Sequence, residues 1–247
     1  KIPENKGKYL GKIYVESSKR LEEHPEYKEE ISKILQKLES GDKELNKLWK
    51  ETRLWSINEF KEIYKELGVK FDYYFYESQV EKEGKKIVDY LFKKGIAKKD
   101  QGAILIDLNN YNLGVFLVLK SDGTSLYATK DLALARLKFE KYKIKKSIYV
   151  VDSRQSIYFQ QLFKVLELIG FNEGDMYHLP YEFVNFNDKP ISSRHGNLFL
   201  YEDFRDETLG RVISETKKRN SNLQDSKIKE ISKKILSNVH IDDPENA

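Results

Sequence analysis

Between Ser121 and Leu168 the sequence SDGTSLYATKDLALARLKFEKYKIKKSIYVVDSRQSIYFQQLFKVLEL reads as a tight turn, a short strand, an amphipathic helix, an apolar strand and a second helix. No other stretch restricts the fold as much, because this order is one αβα unit of a parallel sheet. Its spacing predicts a helix over 130–142 capped by Thr129, with Leu132, Leu134, Ala135, Leu137 and Phe139 on the apolar side. The run SIYVV is of the kind buried on both faces of a sheet. Strand 114–119, that helix and strand 147–151 are expected to form a right-handed crossover. A second helix over 156–169 carries Phe159, Leu162, Phe163, Leu166 and Ile169, and Gly170 stops it.

The remainder reads as scaffold. Residues 1–55 are expected to be helical and peripheral. There, 26–39 places Ile31, Ile34, Leu35 and Leu38 on one stripe before Gly41, and Asp42 can cap a helix holding Leu45, Leu48 and Trp49. Ser56-Ile57-Asn58-Glu59 has the form of a capping box opening a helix that Gly68 ends. VKFDYYFYES predicts a strand ending at Glu77-Ser78, followed by a helix over 79–94 whose Gln79, Lys82 and Lys86 form an exposed face. GAILIDL and GVFLVLK predict further strands. Past an irregular strand near Met176 lies the loop KPISSRHGN, and 203–220 and 226–236 return to helix. The fold class is α/β.

Composition matters here mainly for what it excludes. The 247 residues include no cysteine, which removes disulfides and thiolate metal sites. A net charge of +4, with 34% charged residues of both signs, gives no case for nucleic acid by itself. Lysine clusters such as Lys141–Lys146 are more often solvated helix ends than polyanion contacts. No apolar run approaches the ~18 residues of a membrane span, and the opening KIPENKGKYLGK is no secretory signal. A soluble, intracellular chain is expected. His24, His178, His195 and His240 are scattered and form no metal spacing.

Four polar residues fall at or just past predicted strand ends, where open parallel sheets bind ligands: Glu77, Tyr127, Asp131 and Gln155. Tyr127 and Asp131 are four apart, so a helix start points both to one side. Two carboxylates, a phenol and an amide suit a planar cation such as a guanidinium, which pairs bidentately with carboxylate. Alternatively, Asp131 is only an early-turn acid favoured by the helix dipole. The loop Lys189–Asn197 has the composition of a phosphate cradle. Lys189 and Arg194 bring charge, Ser192, Ser193 and backbone amides bring donors, and Gly196 permits close approach. Ordinary loops share that composition, and His195 reads equally well as a surface histidine.

Taken together, SDGTSLYATKDLALA, IYVVDSRQSIYFQQLFKVLELIGF, FDYYFYESQV and ISSRHGN resemble the arginyl-tRNA synthetases, class I aminoacyl-tRNA synthetases. The resemblance covers roughly 45–220, in the order and spacing of the blocks as well as their letters. GAILIDL followed by SDGTSLY looks more like the eukaryotic cytosolic branch than the bacterial one. The resemblance implies the second half of a Rossmann-like parallel-sheet catalytic domain at 56–200. A helical connecting segment at 1–55 would precede it, and a helical segment at 201–247 would lead towards an anticodon-binding domain. It also implies ATP-dependent ligation of L-arginine to tRNA(Arg), with Mg²⁺ accompanying ATP, in a cytoplasmic and monomeric protein.

By motif, Glu77 and Asp131 would face the guanidinium, Tyr127 would pack on the substrate, and Gln155 would fix it from the next strand end. Ile191–Asn197 resembles the family's degenerate KMSKS loop: Arg194 would be its main cation, with Ser192, Ser193 and the Gly196 amide as donors to the phosphates. Lys189, Ile191, His195 and Asn197 complete the implied ATP loop.

The sequence departs from the family pattern at three positions. Ile191 replaces the usual methionine, His195 stands where lysine or an acid is frequent, and Tyr158 stands where histidine is common. The H-x-G-H signature that holds ATP is absent from the sequence and is expected upstream of Lys1. The chain is therefore expected to be an internal, by itself inactive, piece of a synthetase. The alternative is a non-catalytic relative that keeps an arginine pocket as a sensor or interaction module.

Overall fold

The computed structural model describes residues 5–182, 185–186, 189–190 and 200–239, with side chains over 5–182 and 200–236. In chain order come α1 (Lys6–Glu23), α2 (Tyr27–Ser40), α3 (Lys43–Glu66), α4 (Glu77–Lys93), β1 (Ala97–Asp100), β2 (Ala103–Asp107) and β3 (Val115–Leu119). There follow α5 (Tyr127–Glu140), β4 (Ser147–Asp152), α6 (Ser156–Leu168), β5 (Met176–Tyr181), β6 (Asn185–Phe186), β7 (Lys189–Pro190), α7 (Tyr201–Arg219) and α8 (Asp225–Val239). The fold is mixed α/β, mostly helical, with a small parallel sheet. The chain divides into two compact units, 73–184 and a second formed by 1–72 with 185–247.

The unit 73–184 holds the main core. Val80, Ile87, Val88 and Leu91 of α4 pack with Ile106, Phe116 and Val118 of the strands, Leu132, Ala133 and Ala135 of α5, and Phe159, Leu162, Val165 and Leu166 of α6. Each helix contributes one stripe at i, i+3/i+4 spacing, which is why the periodicity was readable in the sequence. Strands β1, β2 and β3 form an antiparallel meander, with a register shift between Ile104 and Leu105. Strands β4 and β5 pair in parallel, Ser147 opposite Met176 through Asp152 opposite Tyr181, with α6 as the crossover.

Four expectations about the strands and α5 need correction. The crossover from 114–119 to 147–151 does not join one sheet: β3 pairs with β2, its sequence neighbour, and β4 pairs with β5. Nor is β4 covered on both faces. Ser147 is buried, but Ile148 and Val150 on the opposite face are 56% and 62% exposed. The segment 71–76 forms no strand among the described residues. Alternation instead sends Tyr73 and Phe75 to one side, where both meet the Tyr142 ring edge-on, at 4.9 and 5.1 Å. Finally, Thr129 is no cap. Helix α5 begins at Tyr127, and fully buried Thr129 donates its hydroxyl to the Val118 carbonyl while accepting the Leu126 N–H at 3.0 Å. One hydroxyl thus ties the first turn of α5 to β3.

Gly84 sets the spacing of α4 and α5. A Cβ there would fall 2.3 Å from the Thr129 carbonyl oxygen, so the helices approach as closely as backbone allows.

The second unit is a set of helices. Ser56–Glu59 opens no helix, because α3 runs unbroken from its Asp42 cap, which accepts the Leu45 N–H at 2.9 Å, to Glu66. Helices α7 and α8 bury Thr216, Ile228, Ser232 and Leu236.

Candidate functional site

Glu77 is the first residue of α4 rather than the end of a strand. Gln79 fixes that start: its Oε1 accepts the Tyr76 N–H at 3.0 Å, the reciprocal half of a capping box. A carboxylate at this position is favoured by the helix dipole. Tyr127 is the first residue of α5 and is 72% exposed; Asp131, one turn on, is half-buried. Gln155 immediately precedes α6 and is exposed.

Side-chain contacts draw these helix starts together. Lys130 of α5 reaches Glu77 of α4, Nζ to Oε2, at 2.6 Å. Tyr158 of α6 donates its hydroxyl to Asp131 Oδ2 at 2.5 Å. Burial raises the Asp131 carboxyl above its ordinary value; the Tyr158 hydrogen bond opposes this, and the charge of Glu77 adds to it. Glu77 and Asp131 therefore lie within electrostatic reach of each other. Burial likewise lowers Lys138, whose ammonium is turned to Ser147 Oγ at 2.7 Å and to the face of the Tyr149 ring at 4.2 Å.

Gln155 is held from behind. Its Nε2 donates to Asp152 Oδ2 at 3.3 Å, while Asp152 Oδ1 accepts the Arg154 backbone N–H at 3.0 Å and Nε at 2.9 Å. Those donors, Arg154 foremost, pull the Asp152 carboxyl down to about 2. The DSRQ sequence is thus a local device: the aspartate caps the turn after β4 and orients the glutamine three residues beyond it.

The structure places the starts of α4, α5 and α6 so that Glu77, Asp131 and Tyr158 share one electrostatic neighbourhood, with Tyr127 and Gln155 one turn before Asp131 and Tyr158. Sequence reasoning missed Lys130, Asp152 and the partner of Tyr158. The aspartate opening DSRQ was a signal for a turn cap; the other two contacts span 53 and 27 residues and only the fold reveals them. Of the expected phosphate loop, Ile191, Ser192, Ser193, Arg194, His195, Gly196 and Asn197 lie outside the described residues. Lys189 is described only as backbone of β7. Among the described residues no group of three or more His, Asp or Glu could hold a metal ion, and no helix is long and apolar enough to cross a membrane.

The helical unit offers a rival cavity of about 520 Å³ lined by Glu66, Tyr201, Arg205, Lys229 and Lys233. Its Arg205 is already committed to Glu66 at 3.0 and 3.1 Å and to Asp206 at 2.9 Å. With Lys229 and Lys233 added to Arg205, cations outnumber the acids Glu66 and Asp206 in that lining, so it suits a guanidinium less well than the carboxylates of the helix starts.

Comparison with known proteins assigns the class. Residues 3–245 match the family described as tRNA synthetases class I (R), catalytic domain. The chain belongs to this family, the class I synthetases of arginine. It is 42% identical over 205 residues to the arginine–tRNA ligase of Bdellovibrio bacteriovorus, covering 80% of this chain and 35% of that protein. It is 38% identical over 228 residues to that of Clostridium perfringens, covering 92% and 40%. Both of these relatives are bacterial. The chain spans well under half the length of either relative. The fold is similar to the crystal structure of arginyl-tRNA synthetase from Plasmodium falciparum, with a TM-score of 0.67 at 20% identity, over 86% of this chain and 36% of that one.

Proposed function

We propose that the protein carrying this chain ligates L-arginine to tRNA(Arg) through an arginyl-adenylate, and that the starts of α4, α5 and α6 form its arginine site. In this reading residues 56–200 contribute the second half of a Rossmann-like domain, 1–55 a connecting segment, and 201–247 a helical segment, in a cytoplasmic protein. The observation that supports the reading is that Glu77, opening α4, stands near enough to the partly desolvated Asp131 of α5 for its charge to raise that carboxyl further. A cation already pairs with Glu77: the Lys130 ammonium, at 2.6 Å, supports this helix start as a place for a positively charged group. A guanidinium presents five donors in a rigid fork and can engage both carboxylates, whereas an ammonium is a point charge. The exposed Tyr127 ring offers it a face, and Gln155, oriented by Asp152, an amide.

The arginine carboxylate attacks the α-phosphorus of ATP, forming the carboxyl–phosphate bond as the bond to pyrophosphate breaks. The Ile191–Asn197 loop, with Arg194 as its main cation and Ser192 and Ser193 as donors, is assigned by resemblance to stabilise the phosphate charge. Mg²⁺ would arrive on the phosphates; no described residues gather to ligate it, and no step is assigned to it. Selectivity follows from desolvation, because citrulline or lysine would leave a buried carboxylate poorly paired.

The test is ligand-dependent stability. L-arginine at 100 times its dissociation constant should stabilise the protein by about 2.7 kcal/mol, seen as a rise in Tm that lysine and citrulline do not reproduce. Asp131→Asn should abolish the rise. An arginine effect that survives both Asp131→Asn and Glu77→Gln would sink the reading. Aminoacylation by this chain alone is expected to be negligible, and normal turnover would overturn that expectation.

A further inference from the structure

Asp131 is approached from three other elements. Glu77 faces it from α4, Tyr149 from β4 and Tyr158 from α6, while Lys130 and Lys138 come from its own helix. Among the described residues only Tyr158 makes a hydrogen bond to it. No other described residue gives that carboxylate a fixed direction.

The Tyr158 ring cannot readily swing away. It packs against Phe116 at 5.6 Å and stands edge-on to Phe159 at 5.3 Å, both of them buried members of the core. Burial, reinforced by the negative charge of Asp131, pushes the phenol far above its ordinary range, so the hydroxyl stays protonated and faces the carboxylate as a donor. The contact is also one-sided: Oδ2 is taken, and Oδ1 accepts nothing from the described residues.

We infer that Tyr158 is a positioning residue for the guanidinium site: its hydroxyl clamps Oδ2 of Asp131 and leaves Oδ1 aimed at the incoming cation. The inference rests on the arginine reading above and adds to it a residue that family resemblance could not supply, since histidine is common at this position. The clamp keeps a desolvated carboxylate ionised where burial alone would favour its protonated form. Tyrosine does this without itself titrating near neutrality, as a histidine would.

The experiment is calorimetric titration of the full chain with L-arginine across pH, comparing the wild type with Tyr158→Phe, Tyr158→His and Asp131→Asn. Removing a donor from the ionised carboxylate raises the pKa of Asp131 further. In Tyr158→Phe, binding should therefore weaken about ten-fold at neutral pH, and its loss on acidification should begin at higher pH. Tyr158→His, which restores a donor, should recover most of the affinity above the ordinary histidine range. A merely structural role for the ring would leave the acid limb where it is, because phenylalanine keeps the packing. Wild-type affinity and an unmoved acid limb in Tyr158→Phe, with binding still abolished by Asp131→Asn, would overturn the inference and leave the arginine site standing. Normal binding by Asp131→Asn would overturn both. If Tyr158→Phe fails to fold, Tyr158→His carries the decision: an acid limb identical to the wild type's counts against the clamp, and a displaced one supports it.

Discussion

The two units are stabilised differently, and the difference shows where chemistry can reside. In 73–184, three helices and the strands enclose a continuous apolar core, and the half-buried Asp131 sits at its margin. In the helical unit, α1, α2 and α3 contain no buried residue, and Ile31, Leu48 and Leu54 are largely exposed. Contacts there include ion pairs such as Lys8–Asp203 at 3.0 Å and Arg205–Glu66 at 3.0 Å. Burial raises a carboxyl in both units, Asp131 in the first and Glu59 of α3 in the second, but Asp131 lies beside a continuous apolar core. That setting suits the first unit to a charge-selective site and the helices with wet faces to connection and surface contact.

The largest expected effect contrasts the units directly. Leu132→Ala, at a fully buried site, should cost about 3 kcal/mol. Leu48→Ala, at a position 58% exposed, should change stability by under about 0.5 kcal/mol. Urea unfolding of the two variants checks both, and equal losses would dissolve the contrast. Gly84→Ala comes next. The new methyl meets backbone rather than a yielding side-chain tip, so a loss of about 2 kcal/mol is expected, together with weaker arginine binding as α4 and α5 part.

Asp131→Asn should act in the opposite direction on the unliganded protein. Its folded carboxyl is raised above the unfolded value, chiefly by burial. Its contribution to stability is thus full below the unfolded pKa and is lost as pH rises through the folded one. Removing the charge should raise Tm at neutral pH and flatten the pH dependence; a lower Tm there would show that its contacts outweigh its desolvation. The smallest effect belongs to the helical unit. Arg205→Gln should cost about 0.5 kcal/mol, and the deficit should shrink as salt screens the pair.

Helices were legible where one stripe meets one core, as in α4 and α6, and where a glycine stops them, as Gly41 and Gly170 do at φ +95° and +99°. Strand partners were not. SIYVV shows that a segment is apolar but not which strand lies beside it, nor that one of its faces stays bare. FDYYFYES alternates like a strand because its rings need a common side, and Tyr142 supplies that without any ladder. Ser56–Glu59 carries capping letters within a helix already running, where the backbone donors are satisfied by the preceding turn. At the site, the residues that would face a ligand were readable from motif. Of those that face the residues themselves, Asp152 acts locally within DSRQ, while Lys130 and Tyr158 depend on helix adjacency that periodicity does not encode.

Gly84 carries a consequence for anyone seeking to retarget the proposed arginine site to another amino acid. The approach of α4 to α5 is set two turns after Glu77 and two residues before Asp131, where Gly84 rests against the carbonyl of Thr129. A library confined to residues that line the pocket would vary its chemistry but leave its width fixed. Codons for Gly84 and Thr129 belong in such a library, with selection for stability run alongside selection for the new substrate.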